Sequence, residues 1–398
     1  MSRSGPDRLR YVANSLLALF VLDRLLKLSA VIHFFRFRRT PPRAPQSWPS
    51  VTLLQPITRG VSGLPDNLRS RAVLDYPGEI QYLFICDAHD REAQAACAAL
   101  LAEFPILKAE IVLVEAKEDA VASKIEKLLA ALPRAAGEVF WFIDDDIVLR
   151  PLALRIMIPP LFQPGVGAVF GLACYTNWRT VWSSLMSIFV NANALLSYIP
   201  ATYLTEPFTI TGHCFALRRE VFQRAGGFDG LERRIDDDHE LARRVRKIGL
   251  RSVQTPMIYD VDNHFNSWHA YTKQMKRWFI FPRQAMAPYL TPWEQMVTFL
   301  GSIGQLFPCL LALLFICTLK GSAFRALATS LGCFGAIYAL CELCYLKRHT
   351  PLRRWPLLPI VALLSPVQVL WALLSNEEIE WRGQRLRIRV GGEMEVLP

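Results

Sequence analysis

From Ser50 to about Tyr259 short apolar runs alternate with segments of helical period. Val51–Gln55, Ile80–Cys86, Ile111–Val114, Val139–Ile143 and Val166–Leu172 are nearly continuous apolar stretches, the pattern of strands buried on both faces. Between them, Leu64–Leu74, Glu92–Phe104, Ala120–Leu132 and Pro151–Phe162 carry apolar residues at helical spacing. This alternation predicts an α/β domain with a mostly parallel sheet and helices on both faces. Ligands of such sheets sit beyond the carboxyl ends of the strands.

Longer apolar runs lie outside that region. Residues 295–319 carry no charge between Glu294 and Lys320, and these 25 residues suffice to cross a hydrocarbon core of roughly 30 Å. Residues 355–376 are also uncharged, with kinks predicted at Pro356, Pro359 and Pro366, and 326–346 is interrupted only by Glu342. Three C-terminal membrane segments are therefore expected. The N-terminal stretch Tyr11–Phe35 is apolar in bulk, but Asp23, Arg24 and Lys27 fall at its middle. Each such charge costs about 2.5–3.5 kcal/mol at a bilayer centre. Asp23 and Lys27 are four apart and share a helix face, so a span packed against other helices is the expectation, with a helix lying in the interface as the alternative. Thr180–Thr205 is uncharged as well, yet Asn191, Asn193, four serines and Pro200 interrupt it. It reads either as a helix resting on the bilayer or lining an apolar groove, or as a buried core helix. The expected division is 1–48, membrane segment and basic linker; 49–292, the α/β domain, with interfacial segments near 180–205 and 268–292; 293–376, membrane segments; and 377–398, a tail.

Composition narrows the function. Of 398 residues, 52% are hydrophobic and 20% charged, with mean hydropathy +0.22, which excludes a disordered chain. Nine scattered cysteines exclude a disulfide scaffold, and the pair Cys341–Cys344 sits in an apolar run without a second pair to complete a zinc site. A net charge of +10 admits nucleic acid, an anionic membrane surface or a phosphorylated substrate as partner. No zinc-finger spacing, RNP-like strand or basic heptad is present, so nucleic acid is not expected. Basic residues instead flank the apolar segments, at Arg36, Arg38, Arg39 and Arg43 and at Lys347, Arg348, Arg353 and Arg354. The positive-inside rule then puts the α/β domain in the cytoplasm. No small-residue cleavage site follows the N-terminal stretch, so a removed signal peptide is not expected. Three spans would put the tail on the opposite side, although its Arg382, Arg385, Arg387 and Arg389 suit the cytoplasm. A last segment that only dips into the membrane reconciles the two.

Two strand ends carry acids. Ile80–Cys86 runs into Asp87-Ala88-His89-Asp90, and Val139–Ile143 runs into Asp144-Asp145-Asp146. In extended chain Asp144 and Asp146 point the same way, so the two can share one Mg²⁺ or Mn²⁺ together with a diphosphate. A solvated turn or an N-cap ahead of Pro151 accounts for an isolated acidic triplet equally well. A second triplet, Asp236-Asp237-Asp238, opens the helical pattern His239–Ile248; capping explains one or two acids there, not three. Arg233, Arg234, Arg243 and Arg244 stand close enough to keep some ionised. Finally, Gln274, Arg277 and Trp278 share a helix face. An Arg fork beside an indole can grip a diphosphate, or anchor an interfacial helix.

In this order the features resemble the D, DxD, D, QxxRW signature of membrane family 2 glycosyltransferases, most closely ceramide glucosyltransferases and their bacterial relatives. Supporting pieces are Leu74-Asp75-Tyr76-Pro77, Thr211-Gly212, Arg218, Ala225-Gly226-Gly227, Trp381-Arg382-Gly383 and Gly391-Gly392. The resemblance implies a GT-A fold and inverting transfer of a hexose from a nucleotide diphosphate, with glucose from UDP-glucose to ceramide leading. Other sugars, namely galactose, glucuronate and N-acetylglucosamine, other lipids such as hopanoids or diacylglycerol, and a processive polysaccharide synthase remain alternatives. It implies that Asp87 or Asp90 contacts the nucleotide, that Asp144 and Asp146 hold Mg²⁺ or Mn²⁺, and that Lys124 lies near the donor. Asp238, with Asp237 as its acid-pair partner, would be the general base, and Gln274, Arg277 and Trp278 would bind the diphosphate. The chain departs from those relatives at Lys124, followed by Ile125 and Glu126 instead of two Asn, and at the triplet Asp144–Asp146. Thr180–Thr205 is the expected acceptor path, with Ile188 and Phe189 as its test positions.

Overall fold

The computed structural model describes residues 5–37, 47–58, 60–61, 63–115, 123–381 and 383–397. Arg38, Arg39, Arg43, Ala120 and Arg382 lie outside them. The chain begins with a long helix, α1 (Gly5–Phe37), before the α/β domain. That domain opens β1 (Val51–Pro56), α2 (Leu64–Ala72), β2 (Ile80–Asp87), α3 (Arg91–Glu103), β3 (Lys108–Val114), α4 (Ser123–Ala131) and β4 (Val139–Ile143). It continues through β5 (Ile147–Val148), α5 (Ala153–Leu161), β6 (Val166–Tyr175), α6 (Val181–Ala201), β7 (Cys214–Arg218) and α7 (Arg219–Arg224). Then come α8 (Asp237–Lys247), β8 (Arg251–Val261) and α9 (Trp268–Phe281).

The strands form one sheet in the order β3-β2-β1-β4-β7-β6-β8-β5. β3, β2, β1 and β4 are parallel, as expected; β7 enters antiparallel between β4 and β6. Alternate strand residues divide between two cores. Trp141 and Ile143 pack with Leu53, Phe84 and Met157 on one face, while Phe140 and Phe142 pack with Leu54, Leu83 and Phe215 on the other. Because both faces are covered, the strands show no polar alternation.

α6 is a core helix. Ile188 is fully buried and Phe189 nearly so, against α5, α9 and the sheet. Its polar residues complete backbone pairing: Asn191 accepts from Tyr175 N at 2.8 Å and donates to Tyr175 O at 2.9 Å, and Ser187 Oγ donates to Asn177 O at 2.9 Å. An Asp at Ile188 or Phe189 would strand a charge in this core, so those positions do not report on an acceptor path.

Beyond α9 follow α10 (Pro292–Ile303), α11 (Leu306–Thr318), α12 (Gly321–Cys341) and α13 (Leu357–Leu374). Among the described residues three helices are long and apolar enough to cross a membrane: Val181–Ala201, Gly321–Leu346 and Leu357–Leu374. The expected segment 295–319 is a pair, α10 and α11, bent by 48°. The bend has a partner in α1. Asp23 pairs with Arg24 at 3.0 Å and Lys27 at 2.8 Å, and Lys27 Nζ donates to Gly301 O at 2.8 Å. A Cβ on Gly304 would come within 2.0 Å of Asp23 Oδ2, so a side chain there would displace the Asp23 carboxylate from its present position. The charges that count against insertion of α1 are thus spent on a broken helix.

Both ends of α13 are tied to the α/β domain. Before it, Arg348 Nε donates to Asp260 Oδ1 at 3.1 Å and Arg354 Nη2 to Trp178 O at 3.0 Å. After it, Arg283 Nη1 donates to Ser375 O at 2.8 Å and Lys276 Nζ to Asn376 Oδ1 at 2.6 Å. Midway, Tyr271 OH donates to Gln368 Oε1 at 2.8 Å. The tail forms a second sheet, β11-β10-β9, from β9 (Glu378–Trp381), β10 (Gln384–Ile388) and β11 (Met394–Val396).

Candidate active site

The three Asp residues at the end of β4 have different surroundings. Asp145 is buried, its carboxylate accepting from Thr58 N, and its carbonyl accepts from Asn67 Nδ2 at 2.8 Å. Arg71, fully buried, donates to the carbonyls of Asn67, Asp144 and Ile147 at 2.7, 3.2 and 2.6 Å. Side chains of α2 therefore buckle this turn, a role that only a buried Asn-Arg pair in Leu64–Ala72 would have signalled. Asp144 and Asp146 are left half-buried at the cleft. Asp146 Oδ1 is buried and has no hydrogen-bond partner among the described residues. Burial, then Asp144, push the Asp146 carboxyl up to about 7, with Lys124 and Arg277 opposing.

Lys124, at the start of α4, brings the two acid clusters together. Its Nζ is 2.7 Å from Asp144 Oδ1, 3.6 Å from Asp237 Oδ2 and 2.9 Å from Gly212 O. Burial opposes its charge, but Asp144 and Asp237 outweigh it and raise its pKa. Asp237 and Asp238 open α8, where the helix dipole favours acids. Burial, then Asp237, push the Asp238 carboxyl up to about 8. Asp238 Oδ1 accepts from His239 N at 2.7 Å, and a Cβ on Gly212 would stand 3.1 Å from its Oδ2. Thr211-Gly212 thus lets the backbone pass the acid pair closely.

The arginines near the second triplet act elsewhere. Arg234 clasps Asp236 through two bonds, 2.9 and 2.7 Å, and Arg243 and Arg244 hold Glu240. The cation facing Asp237 is Lys124. Sequence reasoning also passed over His213, whose carbonyl accepts from Asp144 N at 2.9 Å and whose imidazole pKa is lowered by burial.

Asp90 caps α3, accepting from Ala93 N at 3.1 Å, while Asp87 Oδ1 accepts from His89 N at 2.8 Å at the end of β2. On α9 Arg277 lies 5.7 Å from the Trp381 ring, and Trp278 packs 6.0 Å from Tyr175. Gln274 is half-buried on the same helix. Among the described residues no group of three or more His, Cys, Asp or Glu is arranged to hold a metal.

The model of glycosyl transferase family 21 matches residues 17–394. The chain belongs to this family. The match runs over most of the chain, and the family is described as one of glycosyl transferases. It is 29% identical over 169 residues to a ceramide glucosyltransferase of Gibberella zeae, a match covering 38% of this chain and 32% of that protein. The chain therefore spans about a third of this curated relative. It is 23% identical over 370 residues to an N-acetylglucosaminyltransferase of Bradyrhizobium diazoefficiens, covering 85% and 72% of the two chains. Among solved structures it resembles the mannosyltransferase PcManGT from Pyrobaculum calidifontis in complex with GDP-Man and Mn²⁺ (TM-score 0.53, 19% identity, 91% of this chain and 99% of that one). That likeness shows the fold, a GT-A sheet with helices.

Proposed function

We propose that this glycosyltransferase moves a hexose, glucose from UDP-glucose foremost, onto the hydroxyl of a membrane lipid, ceramide foremost, with inversion at the anomeric carbon. The observation that carries the reading is Lys124 lying between Asp144 and Asp237, which puts donor-side acids and acid pair in one cleft. Asp238 takes the acceptor proton as the hydroxyl oxygen bonds to the sugar carbon. The bond from that carbon to the diphosphate breaks, and its electron pair leaves with UDP. Lys124 faces the departing oxygens, where fixed positive charge stabilises the transition state more than the ground state, while Arg277 binds the diphosphate equally in both. Asp87 and Asp90 stand at and just past the end of β2 and each accepts one backbone hydrogen bond, from His89 N and Ala93 N, so either can contact the nucleotide.

Asp144 and Asp146 fit a divalent cation. Two like charges, one with an orphaned buried oxygen, match Mg²⁺ or Mn²⁺, which takes its remaining ligands from diphosphate and water. When bound, such an ion neutralises charge on the leaving diphosphate. The lipid acceptor is supported by the ceramide glucosyltransferase relative and by the exposed apolar side chains Leu313, Ile316, Phe324, Leu370 and Trp371 on α11, α12 and α13. A second sugar, N-acetylglucosamine, is favoured by the bacterial relative matched over most of its length. These helices would put the protein in a membrane by several passes, with the α/β domain cytoplasmic. Membranes carrying the full chain, incubated with a panel of UDP-sugars and lipids with and without Mn²⁺, test the reading by mass spectrometry. A discrete hexosyl-lipid is expected; a polymer ladder, or no lipid product with any donor, would overturn it.

A further inference from the structure

The tail touches both the loop that leads into the acid pair and the helix that carries Arg277. Ile379, Leu386, Ile388 and Met394 are buried in the core that also holds Leu231, Leu241 and Ile280. On one side the tail pairs with the loop that leads into the acid pair. Ile235 N donates to Gly392 O at 3.1 Å, and Met394 N donates to Arg233 O at 2.8 Å. Gly392, at φ 91°, is pressed against Asp236: a Cβ there would come within 2.4 Å of Asp236 Oδ1. Asp236 is itself fully buried and immediately precedes Asp237 and Asp238. On the other side the Trp381 ring faces the Arg277 guanidinium at 5.7 Å, a cation–π geometry. Gly391 N donates to Gln284 O at 2.8 Å, just past the end of α9.

We propose that the tail is a two-sided positioning clamp: Trp381 sets the Arg277 guanidinium for the donor diphosphate, and the Gly391-Gly392 turn fixes Asp236 and through it the acid pair. This rests on the roles given above to Arg277 and Asp238. The two contacts act on different steps, so their variants separate in kinetics. In the full chain in lipid nanodiscs, Trp381→Ala is expected to raise UDP Kd and donor KM by about three- to tenfold with kcat within about twofold, matching the loss of one half-buried cation–π contact. Trp381→Phe, which keeps a ring face, is expected to recover most of that affinity. Gly392→Ala is expected to lower kcat by about tenfold or more, with UDP Kd unchanged, because the displaced turn shifts the base and not the donor site.

Thermal unfolding is measured on each variant. If both substitutions only lower Tm and the folded fraction, leaving kinetic constants per folded molecule at wild-type values, the tail is a structural cover and the clamp is wrong. If both move the same constant, the two-sided assignment is wrong. A wild type that binds no UDP by calorimetry overturns the donor-site reading and the clamp with it, and is recognised before any variant is made.

Discussion

The ammonium of Lys124 stands 2.7 Å from Asp144 Oδ1, so one cation already occupies the donor-side acid before any substrate arrives. Lys124→Met is expected to have opposite effects on two ligands. UDP-sugar binding weakens by about tenfold or more, since a charge-assisted contact to phosphate is lost. Mn²⁺ binding to the ligand-free protein tightens, because Asp144 is released. Calorimetry with UDP and electron paramagnetic resonance with Mn²⁺ read the two; a parallel weakening of both would contradict the arrangement.

Asp238 is held in a state that costs stability. Its folded pKa of about 8 lies above the ordinary value near 3.9, so the native chain binds more protons than the unfolded chain between those limits. Stability therefore falls as pH climbs from about 4 to about 8. Asp238→Asn is expected to remove turnover, by about 10²-fold or more, to keep UDP binding, and to raise Tm at pH 8 by about 1 °C for each kcal/mol regained in a chain of 398 residues. An unchanged rate would remove Asp238 from its role.

The same pKa gives a pH profile. A base must be ionised in the free enzyme, so kcat/KM is expected to rise with pH and level off above about 8. A flat profile between pH 6 and 9, measured at saturating metal, would show that Asp238 does not titrate in the rate.

Metal removal should act through Asp146. Chelation by EDTA is expected to stop transfer, with Mn²⁺ or Mg²⁺ restoring it. Asp146→Asn is expected to weaken Mn²⁺ binding about tenfold in the presence of UDP, seen by paramagnetic resonance independently of turnover. Full activity in excess EDTA would rule out the cation.

The buried Asp23–Lys27 pair makes a membrane-layer prediction. Asp23→Leu leaves Arg24 and Lys27 without their acid and is expected to destabilise by about 3–5 kcal/mol, read as loss of folded protein on detergent extraction. The double change Asp23→Leu with Lys27→Leu is expected to recover much of the loss. Equal yields for the single variant and wild type would show that the pair is not needed.

Legibility followed physical range. Val139–Ile143 announced itself as a strand because a two-faced core demands unbroken apolar residues, and alternation along the strand's extension separates Asp145 from Asp144 and Asp146. β7 was missed, since Cys214–Arg218 is five residues long and follows Thr209–Thr211 without a strong turn signal. α6 had two readings because its polar residues look unfit for a core until Asn191 is seen pairing with Tyr175 backbone. Which arginine meets which acid was not readable at all: Arg234 selects Asp236, and Lys124 approaches from 113 positions before Asp237, a contact set by the sheet and not by spacing.

Because Ile379, Leu386, Ile388 and Met394 fill the same interior as Leu54 and Phe142, the core of the module that starts at Val51 is closed by side chains more than 300 positions further along the chain. A chain shortened to residue 292 would therefore expose to water the apolar faces of Leu54 and Phe142 that these four side chains cover.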